Sequence, residues 1–135
     1  MILDLDHVGI ALPSLKEGLA TYKNQMGFEH IHTEEVPSEK VRVAVLLAGN
    51  TRVELLEPTS EGSPVSQFLR KRGGGIHHLA FKVEDVEAEV ERLRMEGVEL
   101  IEPAPRKGAQ NSKVAFIHPR STGGVLIELV ERFVR

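Results

Sequence analysis

In some segments of this 135-residue chain hydrophobic residues alternate with others, as in a strand, and in other segments they recur every three or four residues, as in a helix. These segments predict its secondary structure. Residues 2–12 alternate in the manner of a strand, placing Val8, Ile10 and Leu12 on one face. A capping box then begins at Ser14, and Gly27 lies where the following helix should end. The apolar face of this helix is Leu15, Leu19, Tyr22 and Met26, spaced by four, three and four residues.

The rest of the chain continues this order of strands and helices. The remaining strands of the first half are predicted at 28–35, from Val41 onwards, and at Thr51–Glu57. A short helix should begin with Ser63 as its cap and Pro64 as its first residue. The second half then predicts a strand at 76–83, a helix from Asp85 to Glu96, and strands at Val98–Glu102, Lys113–Ile117 and Val125–Val130. We expect the helix from Asp85 to Glu96 to bury Val86, Val90 and Leu93 and to expose Glu89–Arg92 and Glu91–Arg94 pairs. Residues 103–112 are expected to form a mobile loop.

The second half repeats the first at a nearly constant offset. His78 lies 71 positions after His7, and Glu128 lies 74 after Glu54. A fixed offset that preserves the order of elements indicates a duplication. The predicted fold class is therefore α+β, with two tandem β-α-β-β-β modules in a single domain. Module one covers about 1–60, a linker and short helix about 58–75, and module two about 76–135.

Composition excludes several function classes. Apolar residues make up 41% of the chain and charged residues 27%, which is ordinary for a globular protein. A net charge of −3 with mixed signs gives no basic surface for nucleic acid or for an anionic membrane. No stretch approaches the roughly 20 apolar residues of a membrane span, and the N-terminus lacks the pattern of a signal peptide. We therefore expect a cytoplasmic protein. Because the chain has no cysteine, disulfides and thiolate metal sites are excluded.

Candidate chemistry is concentrated in four residues that recur at equivalent places: His7 and Glu54 in module one, His78 and Glu128 in module two. Each histidine shares its strand face with small residues, and each glutamate lies in an apolar strand. An acid in such a strand is costly unless it is paired or ligated. Together the four could hold a divalent cation, and two imidazoles with two carboxylates suit Co²⁺, Mn²⁺, Ni²⁺ or Zn²⁺.

Taken singly, each residue also has a structural interpretation. A strand histidine is more often satisfied by hydrogen bonds, and a strand glutamate more often faces solvent. The duplicated pattern favours the metal site over these. The other histidines are expected to do something else: His77 to pack or support the site, His118 to support it or lie at the surface, and His30 and His32 to lie on a strand surface.

Several segments together carry a family resemblance. These are Asp6–Ala11, Gly49–Pro58, Ile76–Phe81, Phe116–Pro119 and Gly123–Leu129, with Lys107-Gly108-Ala109 leading towards them. The duplicated module with its His/Glu pattern resembles the vicinal oxygen chelate (glyoxalase) superfamily. Within that superfamily, nearly the whole chain resembles the methylmalonyl-CoA epimerase family.

This resemblance implies a function. It implies an open, U-shaped sheet from each module, the two together enclosing a metal, with cobalt the ion most expected. It implies interconversion of (2R)- and (2S)-methylmalonyl-CoA, an acyl-CoA substrate, through an enolate-like intermediate, in a homodimer. His7, Glu54 and His78 match metal ligands, and Glu128 matches a ligand that is also the catalytic acid/base.

One position departs from the family pattern. Some members carry a second glutamate on the third strand as the partner acid/base, and Val43 occupies the matching position here. Other relatives also have an apolar residue there. The acid on the opposite face is therefore unassigned, with Glu54 or a metal-bound water as candidates. Residues that contact CoA are also unassigned; Lys107 and Lys113 could meet its phosphates or could simply be solvated.

Three other functions compete with this one. A lactoylglutathione lyase would share the fold, the ligand pattern and the enediolate chemistry, but the glycine-rich approach to Glu128 and the loop at Lys107 favour the epimerase. A metal-free binding protein of the antibiotic-sequestering type is disfavoured because all four ligands are present. A dioxygenase would use two histidines and one glutamate, so Glu54 counts against it.

Overall fold

The computed structural model describes residues 1–133 and contains the predicted order of elements. Module one comprises β1 (Ile2–Ala11), α1 (Leu15–Leu19), a π-helical segment (Ala20–Gln25), β2 (Glu29–Val36), β3 (Val41–Ala48) and β4 (Thr51–Pro58). The connecting helix is α2 (Pro64–Arg72). Module two comprises β5 (Gly75–Val83), α3 (Val86–Met95), β6 (Leu100–Gly108), β7 (Ser112–Ile117), a 3₁₀ turn (Pro119–Ser121) and β8 (Ile127–Arg132). The α+β prediction with two β-α-β-β-β modules is confirmed.

The chain folds into two compact units with the same topology. We call His7–His77 the N-terminal unit, and Met1–Asp6 together with His78–Arg135 the C-terminal unit, so β1 begins in one and ends in the other. Strand order in the N-terminal unit is β2-β3-β4-β1, with β1 parallel to β4 and the other pairs antiparallel. In the C-terminal unit the order is β5-β8-β7-β6, with β5 parallel to β8. Each unit therefore places its own first and last strands side by side.

Each sheet has one face covered by a helix, which we call the helix face. In the N-terminal unit the buried residues of this face are Leu15, Ala44, Leu46, Val53 and Leu55, with Ile10, Leu12, Leu19, Tyr22 and Phe28 packed against them. The equivalent core of the C-terminal unit contains Val83, Val86, Val90, Leu100, Ala115, Ile117 and Leu129. Burying each large aliphatic side chain contributes about 1.5–3 kcal/mol. The opposite face of each sheet, which carries its histidine and glutamate, is the histidine face.

The first helix differs from its prediction in its second half. Ser14 caps α1 as predicted, with its hydroxyl oxygen accepting from the amide of Glu17. From Ala20 the turns widen, and the amide of Met26 donates to the carbonyl of Thr21, five residues back. The wider turn rotates Met26 away from the packed side, and this residue is 56% exposed. The prediction that Met26 shares the buried face was wrong.

Helix α3 has the predicted buried face and one of its two predicted ion pairs, Glu89 with Arg92. Asp85 caps it, and Val86 and Val90 are buried. Glu89 was expected to be exposed but is buried, where it accepts from the guanidinium of Arg92 and from the N-terminal ammonium. Arg94 bonds Glu102 on β6 at 2.7 Å rather than pairing within the helix. A strand neighbour therefore replaces the predicted pair.

The predicted loop at residues 103–112 is largely strand, so that prediction was wrong. β6 continues to Gly108, which is paired with Ser112 across a tight turn. The pairing is interrupted between Ile101 and Arg106, a bulge that accommodates two prolines in a strand at the end of the sheet. Arg106 donates to the carbonyls of Ile101 and Pro103 and so holds the bulge.

The last strand begins two residues later than predicted. Gly123 and Gly124 both have positive φ, and the amide of Gly124 bonds the carbonyl of Pro119 at 2.8 Å. Thr122 donates to the carbonyl of Val125, which therefore belongs to the turn and is 41% exposed. β8 starts at Ile127 as a result.

The residues that begin and end the helices are those predicted from the sequence. Gly27 and Gly97 end the helical segments of the two modules with nearly equal φ values of 85° and 84°. Ser63 caps α2 with Pro64 in its first turn, as predicted. Among residues 1–133, no helix is both long and apolar enough to cross a membrane.

Candidate metal centre and active site

The N-terminal unit buries a histidine against a glutamate. His7 on β1 and Glu54 on β4 have their Nε2 and Oε1 atoms 3.4 Å apart, and their side chains are 3% and 7% exposed. The parallel pairing of the two strands places Gly9, two residues after the histidine, beside Glu54. Gly9 adds no side chain to this part of the histidine face.

The C-terminal unit contains an equivalent pair. His78 on β5 and Glu128 on β8 approach to 2.9 Å between Nε2 and Oε1, with side chains 6% and 10% exposed. Here Ala80, again two residues after the histidine, lies beside the glutamate. The ring of Phe116, the neighbour of Glu128 on β7, meets the His78 imidazole edge to face at a centroid distance of 6.1 Å. The two units thus repeat one arrangement, strand by strand.

Burial and donor chemistry make each pair suited to a cation. Carboxylates and imidazoles are rarely buried unless they are paired or ligated. Each pair offers one imidazole nitrogen and one carboxylate oxygen, which are ligands preferred by borderline divalent ions. The interpretation of these glutamates as solvent-facing strand residues is wrong, since Glu54 is 5% exposed and Glu128 8%.

Val43 lies on the histidine face of the N-terminal unit. It pairs with Leu56 of β4 and Glu34 of β2, two residues along β3 from the neighbour of Glu54. The side chain is 3% exposed and cannot transfer a proton. Any second acid or base on this face must therefore come from another position.

The other histidines have local partners. The ring of His77 packs edge to face on Phe68 at 5.0 Å, which supports the prediction of a packing role. His30 bonds Thr33, and His32 bonds Glu34, both at 2.7 Å on β2.

His118 belongs to a surface cluster. Its Nδ1 accepts from the amide of Arg120 and caps the 3₁₀ turn. Arg120 in turn bonds both oxygens of Glu99. That hydrogen bond, together with the nearby positive charges of Arg120 and His118, lowers the pKa of Glu99.

The two lysines considered for phosphate binding line an open groove of about 340 Å³ in the C-terminal unit. Lys113 is paired with Glu87 at 3.3 Å and lies over the ring of Phe133. Lys107 is its cross-strand neighbour. Arg106 lies on the histidine face of the C-terminal unit, where its guanidinium stacks on Phe116 at 5.3 Å. The sequence did not predict that Arg106 lies on this face, because the bulge between Ile101 and Arg106 interrupts the regular alternation of β6.

Comparison with known proteins gives the family. The model of the Glyoxalase/Bleomycin resistance protein/Dioxygenase superfamily matches residues 6–116. The chain belongs to this superfamily. Ethylmalonyl-CoA/methylmalonyl-CoA epimerase of Cereibacter sphaeroides is 40% identical over 131 residues, which are 96% of this chain and 98% of that protein.

Solved structures of the superfamily are also similar. The methylmalonyl-CoA epimerase from Mycobacterium tuberculosis matches with a TM-score of 0.94 at 40% identity, covering 98% of this chain and 90% of that one. A variant of Streptomyces coelicolor methylmalonyl-CoA epimerase, in complex with 2-nitronate-propionyl-CoA, matches with a TM-score of 0.93 at 37% identity, covering 99% and 100%. The predicted resemblance and fold are confirmed.

Proposed function

We propose that this chain is a divalent-metal-dependent isomerase that interconverts (2R)- and (2S)-methylmalonyl-CoA. The observation that carries the proposal is the repeated buried pair, His7 with Glu54 and His78 with Glu128, on histidine faces of identical topology. Relatives that are 37–40% identical over nearly the whole chain bear the name methylmalonyl-CoA epimerase, alone or with ethylmalonyl-CoA, which supports this substrate class.

We propose His7, Glu54, His78 and Glu128 as the ligands of one cation, and cobalt as the ion. Two imidazoles and two carboxylates suit Co²⁺, with Mn²⁺, Ni²⁺ and Zn²⁺ as alternatives. The burial of all four residues fits this role, because a cation would balance carboxylates that are withdrawn from water. Such an ion would supply positive charge that stabilises the negative charge developing on the substrate as a proton leaves C2.

Glu128 is proposed as the residue that moves the proton. A carboxylate can take the C2 proton, which a thioester and a carboxylate acidify, and can return it after the carbon has become planar. Ala80 lies beside Glu128 on β5, in a buried apolar cluster with Val114 and Val130. The Oε1 atom of Glu128 lies 2.9 Å from His78 Nε2, so both atoms could bind the same cation.

The test is deuterium uptake at C2 of methylmalonyl-CoA in D₂O, followed by NMR. Protein stripped with a chelator should exchange little, and reloading with cobalt should restore both exchange and interconversion of the epimers. No exchange by folded, cobalt-loaded protein would overturn the proposal. The hemithioacetal of methylglyoxal and glutathione is the comparison substrate, and its conversion in place of methylmalonyl-CoA would establish the lyase.

Three finer expectations stay predictions. The division into two modules within one domain predicts that the chain unfolds in a single transition. A homodimer predicts about twice the 15.0 kDa chain mass in light scattering. A cytoplasmic location can be followed by fractionating cells.

A further inference from the structure

The histidine face of the N-terminal unit is arranged in rows that cross its strands. Directly paired residues on neighbouring strands project to the same face of a sheet, about 5 Å apart. One row runs from Gly9 through Glu54 and Val45 to His32. The next row runs from Ala11 through Leu56 and Val43 to Glu34. Glu34 therefore shares a face with Glu54, one strand beyond the valine.

Epimerisation requires a second group that can exchange protons, besides Glu128. Inverting C2 takes a base on one side of the carbon and an acid on the other. The aligned positions of β1 to β4 within this unit place six titratable residues on the histidine face: His7, Glu29, His32, Glu34, Arg52 and Glu54. His7 and Glu54 are proposed ligands, so Glu54 would have to bind the metal and move a proton, as proposed for Glu128. An arginine does not give up its proton. Glu29 is exposed at the first position of its strand.

Among the residues of this face that are not proposed ligands, His32 and Glu34 form a hydrogen-bonded pair. The imidazole Nε2 of His32 lies 2.7 Å from Oε1 of Glu34, and their side chains are 42% and 27% exposed. The carboxylate of Glu34 is therefore partly buried and still accessible to water. The imidazole fixes one carboxylate oxygen and leaves the carboxylate oriented. A carboxylate held by a histidine can exchange its proton with solvent through that histidine.

We propose that Glu34 is the second catalytic acid/base, acting on the side of C2 opposite to Glu128. This inference rests on the proposed function. When Glu128 takes the proton, the C2–H bond breaks, its electron pair delocalises into the thioester, and protonated Glu34 delivers a proton to the other side of C2. In the reverse direction Glu34 takes the proton and Glu128 delivers one. No oxidant or co-reactant is needed, and each carboxylate regains its starting state by exchange with water.

The test uses E34Q with each epimer separately in D₂O, measuring deuterium at C2 and inversion as two distinct readouts. Inversion should fall by about 10²–10⁴-fold for both epimers, the usual contribution of a positioned acid or base. The epimer whose C2 proton faces Glu128 should still exchange with retention of configuration, whereas exchange of the other epimer should fall with inversion. A merely structural role would lower both exchanges together.

Glu35 supplies the matched control. It neighbours Glu34 but pairs with Arg42, whose guanidinium lies 3.7 Å from its carboxylate, so it belongs to the opposite face. E35Q should invert both epimers like the wild type, and both variants should retain cobalt content and circular dichroism. Inversion by E34Q within threefold of the wild type, or equal loss of both exchanges, would overturn the role of Glu34. An inactive wild type would instead overturn the proposed function, and this inference with it.

Discussion

Arg132 donates two hydrogen bonds to the carboxylate of Asp6, with nitrogen–oxygen distances of 2.9 and 2.6 Å. The side chains are only 10% and 4% exposed. Both residues belong to the C-terminal unit, although 126 positions separate them in the sequence. Asp6 directly precedes His7, the first proposed ligand, in the sequence.

Breaking the Arg132–Asp6 pair should lower the stability of the folded chain. Arg132→Met keeps most of the side-chain length but leaves the carboxylate of Asp6 without its guanidinium partner. We expect about 3–5 kcal/mol less stability towards urea, the range for removing one partner of a buried pair. Arg42→Met is the control, because Arg42 pairs with Glu57 at the surface and should cost about 0–1 kcal/mol. Equal effects of the two substitutions would contradict the importance of burial.

Metal binding should depend on His78 and not on other histidines. His78→Ala removes an imidazole that lies 2.9 Å from Glu128, and we expect its cobalt content after gel filtration to fall to near zero. His30→Ala is the control, because His30 bonds only Thr33 among the contacts described for its ring. Full cobalt occupancy in His78→Ala, measured by elemental analysis, would remove that residue from the ligand set.

Glu128 should matter for turnover more than any surface acid. Glu128→Gln keeps the shape of the side chain but cannot accept a proton, so turnover should fall by about 10²–10⁴-fold. Glu102→Gln, which removes a surface charge paired with Arg94, should leave turnover unchanged. Rates are compared at equal cobalt occupancy so that a weakened metal site is not mistaken for lost proton transfer. Turnover of the glutamine variant near the wild-type value would refute the assigned role.

The two cores should be equally sensitive to cavities. Leu55 and Leu129 are both 0% exposed and lie at equivalent positions, each directly after its unit's glutamate. Leu55→Ala and Leu129→Ala should each lower the free energy of unfolding by about 2–5 kcal/mol. Met95→Ala, at a side chain that is 82% exposed, should change it little. A cost below 1 kcal/mol at either leucine would show that this core can collapse around the gap.

The surface cluster at Glu99 predicts a pH effect with a definite sign. The hydrogen bond from Arg120 lowers the pKa of Glu99 in the folded chain. This contribution to stability is complete above the unfolded pKa and is lost as the pH falls through the lower folded pKa. Arg120→Ala should therefore raise the pKa of Glu99 towards its ordinary value, as followed by carboxyl NMR. His118→Ala should raise it less, because the charge of His118 is the smaller cause. An unchanged pKa in Arg120→Ala would contradict the assignment.

Local periodicity was enough to predict most helices and strands, and to predict which face of its strand each proposed site residue occupies. The alternation around His7 and His78 assigned each histidine to a face with small residues, and the register confirms that Gly9 and Ala80 lie beside the glutamates. Caps and stops such as Ser63 and Gly97 were also readable, because they act through neighbouring backbone amides and through φ. These features depend on residues only a few positions apart.

Contacts between residues that lie far apart in the sequence could not be predicted, because they depend on the tertiary structure. Arg132 with Asp6, Arg94 with Glu102, and the row that joins Glu34 to Val43 depend on strand register and on how side chains reach across elements. Periodicity assigns a residue to a face but does not select which distant residue it meets there. The spacing of residues along the chain predicted two β-α-β-β-β modules with matching His/Glu positions. Which charges are buried together depends on the folded chain, since burial makes an unpaired charge costly and only folding brings its partner near.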